Sequence, residues 1–191
     1  SGMSNVTTPQ MPQMPQQDPP IGMTSEQIRR VNAALSSPPS AGESSTLTHV
    51  SPSGDFQMVS TTLKPLTTRT AVATATLHFP PSITSLLSSN SNRTSKGSIT
   101  DISRYAGISA SKKTSSLIPL CHQINLTDCS VTCDVIGSKC HVKCTVTAVE
   151  RTGVEMEAMV GASVAALTVY DMVKGVSHEV VIGEVKLMEK K

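Results

Sequence analysis

"CSVTCDVIGSKCHVKCTVTAV", residues 129–149, alternates apolar and polar positions on both sides of Gly137-Ser138, the pattern of two antiparallel strands joined by a two-residue turn. The strands are predicted over 129–136 and 139–149. Directly after the hairpin, residues 153–174 are apolar almost all round through "AMVGASVAALTVY", so they predict one long helix buried against a sheet or another subunit. Thr152 and Glu155 are spaced as a capping box at its start, and Gly175 is expected to close it. Residues 179–188, "EVVIGEVKLM", alternate again as a last strand. Upstream, "RTAVATATLHF" (69–79) is rich in small and β-branched residues and is stopped by Pro80-Pro81, which predicts the first strand. Short helices are expected at 82–88 and 98–106, the latter started by Ser98 and Asp101 with Ile99, Ile102 and Ala106 on one face, and helical character continues to about Ile118. The resulting order β, α, β, β, α, β is that of the split βαβ, or ferredoxin-like, unit, so the fold class is α+β with an antiparallel sheet.

The chain has 191 residues, enough for one core and an appendage. Ser1-Gly2 reads as the remnant of a cleaved tag. Residues 1–46 are rich in Pro, Gln, Ser, Thr and Met and are expected to be a mostly disordered tail, with one short helix over 24–36; residues 47–191 form the folded domain. "SSNSNRTSKG" (88–97) is expected as a second disordered patch, an exposed loop. A net charge of +2 with 16% charged residues steers the protein toward neither nucleic acid nor an anionic membrane. Two Phe, two Tyr and no Trp are too few for base-stacking platforms. No apolar run approaches the ~20 residues of a bilayer span and no secretory signal is evident, so a soluble intracellular protein is expected.

Five cysteines, an odd number, do not suggest a disulfide framework. Cys129, Cys133, Cys140 and Cys144 form two Cys-x3-Cys pairs around the turn. Residues four apart in a strand are ~13 Å apart, whereas Zn–S bonds are ~2.3 Å, so neither pair can share a metal. With the turn at Gly137-Ser138, Cys133 faces Val142 and Cys144 faces Val131, and the thiols are expected to be buried and inert. Metal analysis of the purified chain would revive a zinc reading only at about one ion per subunit.

Cys121 and His122 follow a proline in "SLIPLCHQINL" (116–126), where helix gives way to strand. A lone histidine in an apolar stretch is ordinarily a packed core residue. The long helix adds ionisable groups at both ends: Glu155 and Glu157 at the start, Asp171 and Lys174 at the finish. Capping, the helix dipole and an i,i+3 surface pair would each account for some of them. Glu157 and Asp171 are ~21 Å apart at 1.5 Å per residue, too far for one small ligand in one chain. A site assembled between two copies would bring the ends together. Lys96 and Lys112-Lys113 add positive charge, but no P-loop occurs to hold a nucleoside triphosphate.

Two stretches, "KGSITDISRYAGISASKKTSSLIPLCHQINL" (96–126) and "TGVEMEAMVGASVAALTVYDMVKGVS" (152–177), resemble the cyclic pyranopterin monophosphate synthases of molybdenum cofactor biosynthesis, the MoaC family. The likeness runs from about Leu47 ("LTHVSPSGDFQMV") to Leu187. It implies a ferredoxin-like subunit in a hexamer, a trimer of dimers, with active sites at subunit interfaces. It also implies a lyase reaction converting 3′,8-cyclo-7,8-dihydroguanosine 5′-triphosphate to cyclic pyranopterin monophosphate and pyrophosphate. On this resemblance Leu120, Cys121, His122, Met156 and Glu157 line the substrate pocket, Asp171 is the principal acid/base, and His122 joins the catalytic groups. Lys96 and Lys174 are general acids and phosphate contacts, with Glu155 and Lys112 in support. No cofactor is implied, and a divalent ion beside the phosphates is left open. The implied location is the mitochondrial matrix in a eukaryote and the cytoplasm otherwise.

The sequence departs from the family pattern at Ser60 and Ser98, where aspartates are usual, at Gln123, where proline is usual, and in ending at Lys190-Lys191 without a glycine-rich tail. Those changes bear on loop rigidity and closure, and they keep alive a second class of reading, a non-catalytic binding or regulatory homologue.

Overall fold

The structure, a computed structural model, describes residues 56–191. The expectations for 1–46, the helix over 24–36 included, lie outside the described residues. The elements are β1 (Thr67–His78), α1 (Pro81–Ser89), β2 (Arg93–Thr94), β3 (Gly97–Ser98), α2 (Ile99–Ser111), α3 (Thr114–Leu117), β4 (Leu126–Ile136), β5 (Lys139–Glu150), α4 (Glu155–Val173) and β6 (Val181–Lys190).

The four long strands form one sheet in the order β4-β5-β1-β6, every neighbouring pair antiparallel. The α+β class and its antiparallel sheet are therefore as read from the sequence. β2, β3 and α3 are additions to the six-element order. The hairpin stands where it was expected, with Gly137 in the left-handed region at φ +58°, and Cys133 faces Val142 and Val131 faces Cys144.

One sheet face carries the core. On β1, Ala71, Ala73, Ala75 and Leu77 are all buried while the residues between them are not, the period-2 pattern of a half-covered strand. β5 repeats it with Cys140, Val142, Cys144, Val146 and Ala148. Onto this face pack α2 and α4. The core is thus built mostly from Ala, Val and Cys, and its few larger side chains matter correspondingly more. Leu77 is fully buried among them. Leu77→Ala is expected to cost about 2–5 kcal/mol, from lost transfer free energy plus the cavity left behind. Urea unfolding followed by circular dichroism checks this; a loss below about 1 kcal/mol would mean the site collapses freely.

α4 and α2 approach closely because each offers a glycine. A Cβ on Gly107 would lie 2.9 Å from the Gly161 carbonyl oxygen, and one on Gly161 would lie 2.3 Å from Ser111 Oγ. The helix-to-helix spacing follows from these two residues.

Several local expectations are corrected. α4 begins at Glu155 with Val154 as its N-cap and no side-chain cap, so Thr152 and Glu155 do not form a capping box. Glu155 occupies the first helical position, too early to reach back as the third residue of the box does. Gly175 does not adopt the left-handed conformation; Lys174 ends the helix with αR geometry. At 19 residues and a mean hydropathy of 1.3, α4 is long and apolar enough to cross a bilayer, contrary to the expectation that no run approaches that length. Here its apolar surface is taken up by β1, β5, β6 and α2.

The segment 88–97, expected as a disordered loop, is instead folded. Ser91 and Asn92 take left-handed backbone (φ +49° and +58°), so Asn92 N donates to Leu87 O at 3.0 Å and Ile99 N donates to Asn92 O at 3.0 Å. Polar composition suggested disorder because the stabilising groups are backbone amides, which composition does not reveal. Ser98, by contrast, acts as expected: its Oγ accepts from Asp101 N at 3.3 Å and caps α2. Serine and aspartate are comparable N-caps, so the departure from the family's aspartate there preserves the cap.

Candidate active site

The last turn of α4 and the β2–β3 turn meet in an ion cluster. Lys96 Nζ donates to Asp171 Oδ2 at 2.8 Å and to the Asp171 carbonyl oxygen at 2.8 Å, while Lys174 Nζ lies 2.7 Å from Asp171 Oδ1. Lys174 reaches the carboxylate because i,i+3 positions share a helix face. Lys96 reaches it because Gly97, at φ +119°, reverses the chain directly after the lysine. Of the three, Lys96 and Lys174 rim a cleft of ≈ 720 Å³ that Asn90, Arg93 and Met172 also line. Two lysines on one carboxylate leave the cluster with net positive charge, as an anionic ligand requires.

The lysines hold the Asp171 carboxyl at about 2, well below the usual carboxylate range, Lys174 contributing more than Lys96. The folded-state value is depressed, so its contribution to stability is complete above the ordinary value near 4 and disappears as pH falls through about 2. A carbon-detected NMR titration of the Asp171 carboxyl is expected to show a midpoint near 2, and in Lys174→Ala a midpoint moved up toward 4. An unshifted midpoint in the parent chain would show that the ion pairs do not persist in solution.

A second set of groups lies at the other end of α4. Leu120, Cys121, His122, Glu155, Met156 and Glu157 line a cavity of ≈ 360 Å³. Lys64 and Thr61 close one side of it, held by Arg151, whose Nη1 donates to the carbonyls of Thr62, at 3.3 Å, and of Lys64. Glu157 is 3% exposed, and burial raises its carboxyl above the ordinary value. Burial, aided by Glu157, also raises the Cys121 thiol. A thiol and a carboxyl whose charged forms are disfavoured by burial thus sit beside an imidazole.

Glu157 also lines an adjoining cavity of ≈ 390 Å³ with Ser111, Lys112, Thr114, Gln123 and Asn125. Ser111 Oγ donates to the Glu157 carbonyl oxygen at 2.9 Å, so the end of α2 is fastened to the start of α4 and Lys112 follows directly after that link. Gln123, where the family has proline, faces this polar cavity. Glu155 stands at the margin, with Lys190 Nζ 3.5 Å from its Oε1.

The residues singled out from the sequence therefore fall into two groups. Lys96, Asp171 and Lys174 come together at one end of α4; Leu120, Cys121, His122, Glu155, Met156, Glu157 and Lys112 gather at the other. The helix is unbroken between them, so the ends stay ~21 Å apart within one chain. Sequence reasoning missed Arg93, Lys64 and Thr61. Lys64 becomes a lining residue only through the distant Arg151, and Arg93 only through the left-handed turn before it.

Among the described residues, no group of three or more His, Cys, Asp or Glu side chains is placed to hold an ion.

Comparison with known proteins bears on these groups together. The chain is 44% identical over 154 residues to "Cyclic pyranopterin monophosphate synthase" of Xanthomonas campestris pv. campestris, covering 80% of this chain and 93% of that one. Against the protein of the same name from Clostridium perfringens it is 40% identical over 146 residues, 75% of this chain and 91% of that one. "Molybdenum cofactor biosynthesis protein 1" of Drosophila melanogaster is 44% identical over 148 residues, 76% of this chain and 26% of that longer protein. The MoaC family profile matches residues 58–191, a span that takes in both ends of α4 and every site residue named above, and the chain belongs to the MoaC family.

Proposed function

We propose that this protein is a cyclic pyranopterin monophosphate synthase, a lyase that converts (8S)-3′,8-cyclo-7,8-dihydroguanosine 5′-triphosphate to cyclic pyranopterin monophosphate with release of pyrophosphate, in molybdenum cofactor biosynthesis. The observation that carries the reading is the division of the site residues between the two ends of α4. A nucleotide-derived substrate has a heterocycle and a triphosphate, and the two groups of residues suit one part each.

The Lys96, Asp171 and Lys174 cluster receives the phosphates and the sugar. Binding of a triphosphate draws the ammonium groups from Asp171 toward phosphate oxygens, where they offset negative charge and supply a proton to departing pyrophosphate. Asp171, released from them, becomes more basic and accepts protons as the sugar phosphate cyclises. At the other end Leu120 and Met156 bound the ring, and His122 and Glu157 exchange protons with it as it opens and recloses as a pterin. Cys121 packs beside them as a neutral thiol. Lys112 and Glu155 support this end by charge.

Such a division needs two copies of the chain, the start of α4 from one and its end from the other. We infer a homodimeric site, repeated in a hexamer built as a trimer of dimers. The exposed apolar side chains of Phe56 and Met156, which line one apolar cleft with Ile118 and Leu120, support an interface at this end of α4. No cofactor is assigned. The protein is placed inside the cell, in the mitochondrial matrix in a eukaryote and the cytoplasm otherwise.

Incubation of the purified chain with the cyclised dihydro-GTP intermediate tests the reading, with pyrophosphate and the pterin product measured separately. Formation of both establishes the synthase. A well-folded oligomer that yields neither would overturn it in favour of a binding or regulatory homologue, and a monomer by analytical ultracentrifugation would overturn the interface site.

A further inference from the structure

The cleft at the last turn of α4 holds a third cation that the ion cluster leaves unused. Lys96 and Lys174 are each committed to Asp171, at 2.8 and 2.7 Å. Arg93 lines the same cleft, is exposed, and forms no ion pair with any described residue. Among the described residues, no Asp or Glu lines the cleft, so it presents three cations and no carboxylate to whatever enters. Leu86 and Met172 add apolar surface beside them, which strengthens the attraction of an anion by keeping water away.

The backbone holds Arg93 in a fixed place. Its N–H donates to the Asn90 carbonyl oxygen at 3.0 Å, and the residue pairs with Ser98 across the β2–β3 ladder while Thr94 pairs with Gly97. Lys96 stands in the turn of that same ladder, so one small hairpin carries both Arg93 and Lys96 and α4 brings Lys174 to the cleft they share. Arg93 differs from the lysines in shape. A guanidinium is a planar fork of N–H donors that matches two oxygens of a phosphate, whereas an ammonium acts as a point charge.

We propose that Arg93 is the polyphosphate anchor of this cleft: it binds the phosphates that depart as pyrophosphate by paired N–H···O bonds and holds them while Lys96 and Lys174 exchange Asp171 for phosphate oxygens. The inference deepens the synthase reading and rests on it for the identity of the anion. Arg93 engages first because no ion pair has to break. Its bonds to the terminal phosphates are the same before, during and after their release, so they stabilise bound substrate and transition state alike. Such a contact sets KM and leaves kcat to the groups that move protons. It also binds free pyrophosphate, so product affinity and KM depend on the same side chain.

Isothermal titration calorimetry of the full chain with tripolyphosphate and with pyrophosphate, beside steady-state kinetics on the cyclised dihydro-GTP intermediate, tests the anchor. In Arg93→Gln both probe affinities and KM are expected to weaken about tenfold, the scale of one charge-assisted contact, with kcat within about twofold of the parent's. Arg93→Lys is expected to fall between the two, since it keeps the charge and loses the fork. Lys186→Gln, which removes a charge from β6 outside the cleft, is expected to leave probe affinity unchanged. A parent chain that binds neither probe, an Arg93→Gln chain that binds both as the parent does, an equal loss in Lys186→Gln, or a fall in kcat at constant KM would overturn the proposal. Arg93-dependent binding of tripolyphosphate by a chain that forms no pterin would instead overturn the synthase reading and support the anchor.

Discussion

Lys174→Ala is expected to lower turnover of the cyclised dihydro-GTP intermediate by roughly 10²–10⁴-fold, the usual scale for removing a positioned proton donor and charge partner. The side chain is about half exposed and its ion pair with Asp171 lies at the surface, so the fold should be untouched. The urea midpoint should match the parent's while activity disappears. Parent-like turnover would exclude Lys174 from the chemistry, and a collapsed fold would assign it a structural role the geometry does not indicate.

The same variant tests the two-chain site when mixed with His122→Ala. Each alone spoils a different end of α4. If a site takes one end from each subunit, co-refolded mixtures regain activity in mixed dimers, ideally about a quarter of the parent's sites in a two-fold assembly. Recovery of nothing from freely exchanging subunits would mean that each chain carries its own complete site.

The largest effect on stability is expected at Gly161. Its missing side chain is where α4, α2 and β5 meet: a Cβ would lie 2.3 Å from Ser111 Oγ, 2.6 Å from Cys144 Sγ and 3.3 Å from the Gly107 carbonyl oxygen. Ser111 and Cys144 are short, buried side chains, so relief requires moving backbone or breaking the Ser111 bond to the Glu157 carbonyl. Overpacking of this kind costs typically ~1–3 kcal/mol and occasionally more, and Gly161→Val adds three carbons where even one does not fit, so about 3 kcal/mol or more is expected. Against a total of roughly 5–15 kcal/mol that is enough to deplete soluble protein. Thermal unfolding checks it, and Gly161→Ala combined with Ser111→Ala should lose less than the sum of the two single changes, because the second removes the first's nearest obstacle. Additive losses would show that the helices simply move apart.

The sequence also bears on where these predictions fall. The alternation around Gly137-Ser138 specified a hairpin in which cysteines face valines, and the register confirms it. It did not reveal that sulfurs also lean diagonally across the hairpin, Cys133 Sγ coming within 3.4 Å of Cys140 Sγ. Expecting all four thiols to be buried holds for Cys133, Cys140 and Cys144 but not for Cys129, which is half-buried on an edge strand of the sheet.

At the site, residue types and spacing identified Lys96, His122, Glu157, Asp171 and Lys174 because each breaks an apolar pattern or sits in a motif the family shares. Which of them meet was legible only for Asp171 and Lys174, three apart on one helix. Lys96, 75 positions from Asp171, enters through a left-handed turn read as disorder, because local propensity does not register backbone hydrogen bonds made between segments.

Periodicity and turn chemistry determined the α+β class, the antiparallel hairpin and the buried long helix, because side-chain period follows directly from local backbone geometry. Tertiary structure alone decided how closely α2 approaches α4 and which charges share Asp171. It also decided that Glu157 is buried, which raises its carboxyl above the ordinary value. Those properties depend on distances between residues remote in the chain, and burial and pairing act through distance rather than order.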